Sequence, residues 1–376
     1  MVQIKKEGII ITPSDLKPSS TEFEIIGTVN PAAIRLPNND IMLYVRVIEK
    51  LIKDEDENNV YSPRMIGKSE FKYILDKFPK KNIVEKNPLD IIFPNGEKRL
   101  TFISHLRRVI LDSTGLKIKS IDNKPSFFGL SSDGELGIED PRIVKINDLY
   151  VMTYVSLARE TNVCTSLALS KDLKTWQRKG IIFEEQNKDV VIFPELINNK
   201  YVSLNRPEGS FEFKLPHIWI SYSKDLEGWG KSKSIILSEN DWDSDKVGAG
   251  PPPIKTKKGW LLLYHAAIEK QDKNSFLVKT LMNLFGLEDI KVIYSVGAAL
   301  LSLDDPSKII SKTKNPLFTP RRKYEKGVLE KKKVIFPTGI ILDRNKDLLI
   351  YAGAGDVVTE VKVVSLDEVM KHLERV

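Results

Sequence analysis

Short apolar runs separated by polar turns recur along the whole chain of 376 residues. The runs are rich in β-branched and aromatic residues and are bounded by Asn, Asp, Gly or Pro, which is typical of β-strands. Repeated units of roughly 40–60 residues with four strands each are typical of propeller blades. The pattern therefore predicts an all-β protein, a five-bladed β-propeller with a few peripheral helices. The hairpins of the five units contain NNDIMLYVRVIEK (38–50), NDLYVMTYVSLARE (147–160), NKYVSLNRPEGS (199–210), KGWLLLYHAAIEK (258–270) and KDLLIYAGAGD (346–356).

A single propeller domain is expected over residues 1–376, because no linker-like segment interrupts the pattern. Residues near 50–100 form a long charged insertion within the first unit. A second insertion, near 270–293, contains NSFLVKTLMNLFGL, whose apolar residues fall on one side of a predicted helix. We interpret this helix as a cap on the propeller, with a dimer contact or a substrate lid as the alternatives. A C-terminal helix is predicted near 364–375.

The chain is basic, with 58 Lys and Arg against 51 Asp and Glu and a formal net charge of +7. Two interpretations stay open, a lysine-rich solvated surface or attraction to an anionic partner. Nucleic acid is not expected as the partner, because the lysines are scattered and no basic helix or RNP-like motif occurs. A small anion held by a few basic residues fits the charge equally well.

Cysteine content and hydropathy predict the location of the protein. The only cysteine is Cys164, so an internal disulfide framework is excluded, which suits a reducing cytoplasm. No apolar run approaches the roughly 20 residues of a membrane helix. The apolar run near the N-terminus is too short for a secretory signal. We therefore expect a cytoplasmic protein without a membrane partner, and a homo-oligomer is compatible with the sequence.

Polar residues near the ends of the first strands are candidates for a ligand site, because the inner strands of a propeller converge on its axis. Cations are numerous among them and stand beside several carboxylates, which fits a sugar site next to an anion site. The four histidines are dispersed and neither HExxH nor CxxC occurs, so no protein-bound metal is expected. The candidates are Asn30, Arg46, Asp140, Arg159, Lys188, Asp189, Glu195, Arg206, His265 and Asp356.

The stretch GIEDPRIV places Asp140 directly before a proline at the start of a predicted strand. Proline keeps its predecessor extended, so Asp140 is expected in a fixed, non-helical conformation. Arg142 could then orient a neighbouring carboxylate, and a structural Asp–Arg clamp is the alternative. The stretch NKDVVIFPE has the same order of residue types, in which Lys188 is either a phosphate-binding charge or a surface lysine paired with Asp189.

Several motifs occur in a specific order along nearly the whole chain, namely SHLRRV (104–109), GIEDPRIVKI (137–146), NKDVVIFPE (187–195), IWISYSKDLEGWG (218–230), GAGPPPIKTKKGWLLLYH (248–265), YSVGAALLSLDDPSKII (294–310), FPTG (336–339) and YAGAGD (351–356). In this order and spacing they resemble glycoside hydrolase family 130, the inverting β-mannoside phosphorylases and their hydrolase relatives. The resemblance implies a five-bladed propeller. The pattern is most similar to the subgroup that acts on β-1,2-mannobiose and β-1,2-mannooligosaccharides.

The resemblance implies a reversible reaction in which inorganic phosphate cleaves a β-mannoside and α-D-mannose 1-phosphate is released. Asp140 would be the catalytic acid, with its proton passing through a sugar hydroxyl. A phosphorylase needs no second catalytic carboxylate, because phosphate is already anionic, but it needs cations to hold that phosphate. Phosphate is the implied co-substrate, and no cofactor is implied. The implied phosphate-binding residues are Arg159, Arg178, Lys188, Tyr264 and His265, and the implied substrate-binding residues are Asn30, Arg46, Arg107, Asp189, Glu195, Arg206 and Asp356.

Two other functions stay open. An inverting β-mannosidase would use water in place of phosphate and would need a base, for which Glu195 is a candidate. Retention of the cations Arg159, Arg178 and Lys188 argues against this hydrolase. The second alternative is a non-catalytic propeller that binds sugar.

Overall fold

The computed structural model describes residues 2–209, 213–236, 242–271, 290–327 and 332–375. Most of these residues lie in β-strands. In chain order the strands are β1 (Ile4–Ile11), β2 (Phe23–Arg35), β3 (Ile41–Leu51), β4 (Asn59–Met65), β5 (Tyr73–Pro79), β6 (Glu85–Lys86), β7 (Asp90–Ile92), β8 (Lys98–Leu100), β9 (Phe102–Leu111), β10 (Ile118–Ile121), β11 (Gly137–Ile146), β12 (Leu149–Ala158), β13 (Asn162–Ser170), β14 (Gln177–Phe183), β15 (Asn187–Ile192), β16 (Tyr201–Pro207), β17 (Ile218–Ser223), β18 (Trp229–Ile236), β19 (Lys246–Ala249), β20 (Ile254–Thr256), β21 (Gly259–Gln271), β22 (Ile290–Leu301), β23 (Ile309–Thr313), β24 (Lys332–Leu342), β25 (Asp347–Ala354), β26 (Val358–Ser365) and β27 (Leu373–Arg375).

Helix is scarce in the part of the chain that the structure describes. It holds one α-helix, α1 (Leu366–Lys371), and three 3-10 helices, Pro13–Asp15, Lys80–Asn82 and Lys323–Glu325. None of the described helices has the length and apolar composition needed to cross a membrane. The predicted all-β class is therefore confirmed.

Apart from β4 to β8, the strands form three separate four-stranded sheets and one larger sheet. The four-stranded sheets have the orders β10-β9-β3-β2, β11-β12-β13-β14 and β15-β16-β17-β18. The larger sheet has ten strands and the order β1-β26-β25-β24-β22-β21-β19, with β20, β23 and β27 attached to it. Neighbouring strands are antiparallel, except that β22 and β24 pair in parallel over a short stretch. Strand β1, from the N-terminal part, pairs with β26 near the other end of the chain.

The insertion near 50–100 folds into two small sheets beside the first unit. Strands β4 and β5 form a hairpin, and β6, β7 and β8 form a three-stranded sheet. The helix predicted within the insertion near 270–293 falls on NSFLVKTLMNLFGL, residues 274–287, which lie outside the described residues. On either side of these residues, β21 ends at Gln271 and β22 begins at Ile290.

The C-terminal helix is shorter than the predicted 364–375. Val364 lies in β26 and pairs with Leu348 in β25, so the strand extends into the predicted helix. The side chain of Ser365 then accepts a hydrogen bond from the backbone nitrogen of Glu368 at 3.1 Å, which caps the first turn of α1. Residues 373–375 form β27, which pairs with β23.

Apolar clusters fill the spaces between successive sheets. One cluster contains Tyr44 and Leu106 from the first sheet together with Met152 and Tyr154 from the second, and each of these is at most 1% exposed. Burial of a large apolar side chain stabilises the fold by roughly 1.5–3 kcal/mol. These contacts fix each sheet against the next, and the first strands β2, β11, β15 and β19 lie in contact in this order.

Candidate active site

The first strands of three units share one local distortion. Each has a shift in register, between Val29 and Ala32 in β2, between Glu139 and Arg142 in β11, and between Lys188 and Val191 in β15. Such shifts mark β-bulges, which often re-aim a side chain near an active site.

A short polar residue occupies each bulge in the left-handed conformation. These residues are Asn30, Asp140 and Asp189, with φ angles of 47°, 46° and 54°. Asn and Asp adopt this conformation more readily than other non-glycine residues. The extended conformation expected of Asp140 before Pro141 is therefore wrong, because the bulge turns Asp140 into the left-handed region. The repeated sequence pattern therefore places an amide and two carboxylates at equivalent positions on neighbouring first strands.

Asp140 is anchored through one of its two carboxylate oxygens. Its Oδ1 accepts hydrogen bonds from Nδ2 of Asn30 at 2.8 Å and from Nη1 of Arg46 at 3.2 Å. Oδ2 makes no hydrogen bond to any residue that the structure describes, and the side chain is 13% exposed. One oxygen is thus fixed and the other is open to a ligand.

Arg46 also forms an ion pair with Glu139, the neighbour of Asp140. Burial acts to lower the pKa of Arg46, but the charges of Glu139 and Asp140 outweigh it and raise that pKa. The arginine therefore remains charged between the two carboxylates. Asn30 contributes a further polar atom, since its buried Oδ1 has no hydrogen-bond partner among the described residues.

Asp189 is the centre of a second, fully enclosed cluster. Its carboxylate forms ion pairs with Arg142, at 3.0 Å from Nη2, and with Arg206, and lies 3.2 Å from Nε2 of His265. Burial alone would raise the pKa of Asp189, but the charge of Arg206, with that of Arg142, holds it well below its usual range. Burial lowers the pKa of His265, so its ring is neutral at pH 7. Arg206 extends the cluster to Glu208.

Arg142 connects the two clusters. Its Nη1 donates to the backbone carbonyl oxygen of Asp140 at 2.8 Å, while Nη2 donates to Asp189. Nε donates to the carbonyl oxygen of Gly250 at 3.3 Å. One guanidinium group thus ties the bulge in β11 to the bulge in β15.

The two arginines that follow in the same unit as Asp140 bind acidic residues of the segment before β11. Arg159 binds Glu135 through Nε at 2.7 Å and through Nη2 at 3.2 Å. Arg178 binds Asp133 through Nη1 at 2.7 Å, and its guanidinium carbon lies 4.0 Å from the ring centre of Phe127. Asp133, Glu135 and Arg159 line a common cavity of about 230 Å³.

Lys188 is half-buried in β15, beside Asp189 and opposite Arg206 on β16. It makes no ion pair or hydrogen bond to any residue that the structure describes, so the predicted pair with Asp189 does not form. Its ammonium group is therefore available to an anionic ligand.

Two further predicted residues, Tyr264 and Asp356, lie in different environments. Tyr264 is fully buried, and its ring stacks on Trp242 with 5.8 Å between ring centres. Asp356 follows β25 with a φ of 59°, is half-exposed, and lies 3.7 Å from Nζ of Lys332. Its charge also raises the pKa of Arg46, after the larger influences of burial, Glu139 and Asp140.

Arg107 and Glu195 lie apart from both clusters. Arg107 is fully buried and binds Glu49 at 2.9 Å, the carbonyl oxygen of Lys17 at 2.8 Å and that of Asn123 at 3.2 Å. Glu195 is 43% exposed and forms an ion pair with Lys255. Neither side chain has a hydrogen bond to Asp140 or Asp189.

Sequence reasoning missed the acidic partners of the arginines. Asp133 and Glu135 stand in SSDGELG, directly before GIEDPR, and this spacing was the signal that could have identified them. Glu208 binds Arg206 and lies 3.0 Å from Nζ of Lys246. It does not lie in a motif that could have identified it. Among the described residues, no group of three or more His, Cys, Asp or Glu side chains is arranged to hold a metal ion.

Comparison with known proteins identifies the class to which this fold and site belong. Residues 110–375 match the sequence profile of glycoside hydrolase family 130, described as β-1,4-mannooligosaccharide phosphorylase. The chain belongs to this family.

Individual phosphorylases are similar to this chain over most of its length. The chain is 32% identical over 374 residues to the β-1,2-mannobiose phosphorylase of Listeria innocua, a match that covers 98% of this chain and 97% of the relative. It is 36% identical over 274 residues to the 1,2-β-oligomannan phosphorylase of Thermoanaerobacter sp., covering 71% of this chain and 81% of the relative. The solved structure of the Listeria innocua enzyme with β-1,2-mannobiose superimposes with a TM-score of 0.80 at 31% identity and covers 96% of both chains.

Proposed function

We propose that this protein is an inverting phosphorylase that cleaves β-1,2-mannobiose or a β-1,2-mannooligosaccharide with inorganic phosphate and releases α-D-mannose 1-phosphate. Membership of a phosphorylase family and similarity over nearly the whole length to a β-1,2-mannobiose phosphorylase support this activity. The reaction is reversible, so the same site would extend an acceptor sugar from mannose 1-phosphate. No cofactor is required by this chemistry.

The observation that best supports the proposal is how the Asp140 carboxylate is held. Oδ1 is held by Asn30 and Arg46, and Oδ2 makes no hydrogen bond to a described residue. A general acid must be fixed in place and must present one oxygen to the substrate. Oδ2 would supply the proton that leaves with the glycosidic oxygen, directly or through a hydroxyl of the bound sugar.

Phosphate would be held by Arg159, Arg178 and Lys188. Guanidinium groups bind phosphate oxygens through paired hydrogen bonds, and a lysine adds a point charge. Arg159 uses only Nε and Nη2 on Glu135, so its Nη1 is free of hydrogen bonds to described residues. Since the nucleophile is already anionic, no carboxylate base is needed. The ion pair of Glu195 with Lys255 disfavours the use of this glutamate as a base for water.

We further infer that the sheets are the blades of a five-bladed propeller around this site. The ten-stranded sheet divides at the short parallel pairing of 292–294 with 332–334 into two units of four main strands. Together with the three separate sheets, this gives five units. Contacts of β2 with both β11 and β24 and the addition of β1 to β26 support closure of the circle.

The experiment runs the reaction in the synthetic direction. Mannose 1-phosphate and mannose are incubated with the protein, and phosphate release and disaccharide are measured together. We expect phosphate and a β-1,2-linked disaccharide in equal amounts. Asp140→Asn should reduce turnover by roughly 10²–10⁴-fold, the usual contribution of a general acid.

Asp148→Asn is the matched control, because Asp148 lies exposed in the turn between β11 and β12. It should leave turnover unchanged. A protein that binds mannobiose without any turnover, equally in wild type and Asp140→Asn, would instead be a sugar-binding module.

A further inference from the structure

Arg159 is connected by ion pairs to the β4–β5 hairpin of the first insertion. Glu135, which binds Arg159 with both carboxylate oxygens, also accepts a hydrogen bond from Nη1 of Arg64 in β4 at 3.3 Å. Arg64 in turn binds both oxygens of Asp76 in β5, at 2.9 Å from Nε and 3.1 Å from Nη2. The four side chains form a continuous chain of ion pairs from the hairpin to Arg159.

The side chains in this series of ion pairs become more exposed from Glu135 towards the cavity. The side chain of Glu135 is 7% exposed and that of Arg64 is 16% exposed, whereas Arg159 is 39% exposed. A buried carboxylate that binds two planar guanidinium groups fixes the orientation of both. The exposed end of Arg159 is therefore held from behind, with Nη1 left for an anion.

Backbone hydrogen bonds attach the same segment to the hairpin. The nitrogen of Met65, the last residue of β4, donates to the carbonyl oxygen of Glu135 at 2.8 Å. The nitrogen of Ser131 donates to the carbonyl oxygen of Gly67 at 3.1 Å. Because residues 131–135 line the cavity beside Arg159, the position of this wall depends on the position of the hairpin.

We propose that Glu135 and Arg64 are positioning residues that orient Arg159 for the attacking phosphate, with the β4–β5 hairpin as their anchor. The inference rests on the proposed function, in which Arg159 binds phosphate. Neither Glu135 nor Arg64 contacts phosphate in this account. Both act by restricting a long side chain before binding, which reduces the entropy lost when the anion binds.

The direction in which the KM for phosphate changes separates a positioning role of Glu135 from competition between Glu135 and phosphate. If Glu135 competed with phosphate for the guanidinium group of Arg159, its removal would lower the KM for phosphate. If Glu135 positions Arg159, its removal raises this KM. A structural role alone would change stability without changing the KM for phosphate selectively.

The test measures kcat, the KM for phosphate and the KM for β-1,2-mannobiose in the full-length protein. Arg64→Ala and Glu135→Gln each interrupt the chain of ion pairs, and Arg64→Lys keeps the charge but removes the planar fork. Lys77→Ala is the matched control, because Lys77 is exposed on the same hairpin and has no ion pair with a described residue. If burial of Glu135 prevents its variant from folding, the two variants of Arg64 decide the test.

We expect Arg64→Ala and Glu135→Gln to raise the KM for phosphate about tenfold, because a misoriented Arg159 would lose one charge-assisted hydrogen bond to the anion. The KM for mannobiose should change less than about twofold, Arg64→Lys should be intermediate, and Lys77→Ala should match wild type. A KM for phosphate that stays constant or falls in the Arg64 and Glu135 variants overturns the inference alone. A wild-type protein whose rate ignores phosphate overturns the proposed function and the inference together.

Discussion

Arg142 and Asp189 form an enclosed ion pair, with 3.0 Å between Nη2 and Oδ1 and side chains that are 2% and 3% exposed. The same arginine binds the carbonyl oxygen of Asp140. The pair therefore couples the strand of the proposed acid to the strand that carries Lys188. Its disruption should affect both the stability of the fold and the geometry of the site.

Asp189→Asn is expected to lower the free energy of unfolding by about 3–5 kcal/mol, because it leaves buried cations without their counter-charge. Urea denaturation at pH 7 measures this change. Glu195→Gln serves as the control, since Glu195 and Lys255 form an exposed pair and such pairs contribute less than about 1 kcal/mol. If both substitutions lowered the free energy of unfolding by the same small amount, the buried cluster would not stabilise the fold as proposed.

Gly353→Ala is expected to reduce kcat by displacing Asn30. A Cβ atom at position 353 would overlap Oδ1 of Asn30, whose Nδ2 holds Asp140. We expect kcat to fall at least about tenfold, because small displacements of a catalytic group are costly. Gly8→Ala is the matched substitution, since its added Cβ would have no described atom within 4 Å apart from those of its chain neighbours. A folded Gly353→Ala protein with wild-type kcat would show that Asn30 does not position the acid.

Lys188→Ala is expected to weaken phosphate use without loss of stability. Lys188 has no ion pair or hydrogen bond with a described residue, so its removal leaves none of the described groups unpaired. The KM for phosphate should rise about tenfold, as for the loss of one charged contact. The melting temperature should stay within about 2 °C of wild type. Lys258→Ala, at an exposed turn, provides the comparison, and identical kinetics of the two variants would exclude Lys188 from the site.

A buried charge cluster around Lys362 predicts how stability depends on pH. Burial raises the pKa of Glu360 from 4.5 to about 7, although the charge of Lys362 acts in the opposite direction. Between pH 4.5 and 7 the folded protein therefore binds more protons than the unfolded chain, so the free energy of unfolding falls as pH rises. Glu360→Gln removes this titration, while Lys362 keeps Glu7 and Glu325 as partners.

Denaturation of both proteins at pH 5 and pH 8 measures the effect of Glu360. We expect the variant to be more stable than wild type at pH 8 by roughly 3 kcal/mol and to differ less at pH 5. Lys371→Ala, an exposed substitution in α1, should keep the pH dependence of wild type. The same pH dependence in Glu360→Gln and wild type would show that Glu360 does not titrate in this range.

The all-β class and the positions of most strands could be predicted, because apolar alternation and turn residues are local signals. The predicted residues Asn30, Arg46 and Asp140 also lie in one cluster, since the repeated units place Asn30 and Asp140 at equivalent bulges and Arg46 on the strand paired with the first of them. The helix predicted at 364–375 was too long because the pairing of Val364 with Leu348, which extends β26, depends on another strand.

Long-range pairing explains what sequence reasoning could not supply. Arg178 binds Asp133, which is 45 positions away in the chain, and no local pattern joins them. Arg107 belongs to the motif SHLRRV, yet its side chain is fully buried against Glu49. A motif identifies a residue type at a position, whereas the partner of a charged side chain is decided by how the sheets pack.

The most direct test of the account follows the rate of β-1,2-mannobiose cleavage as phosphate is varied, with the sugar product identified by nuclear magnetic resonance. An acid at Asp140 opposite a phosphate site predicts a rate that saturates with phosphate and falls to background without it. It also predicts the α anomer of mannose 1-phosphate as the first product. Release of free mannose at a rate that does not depend on phosphate would contradict the account.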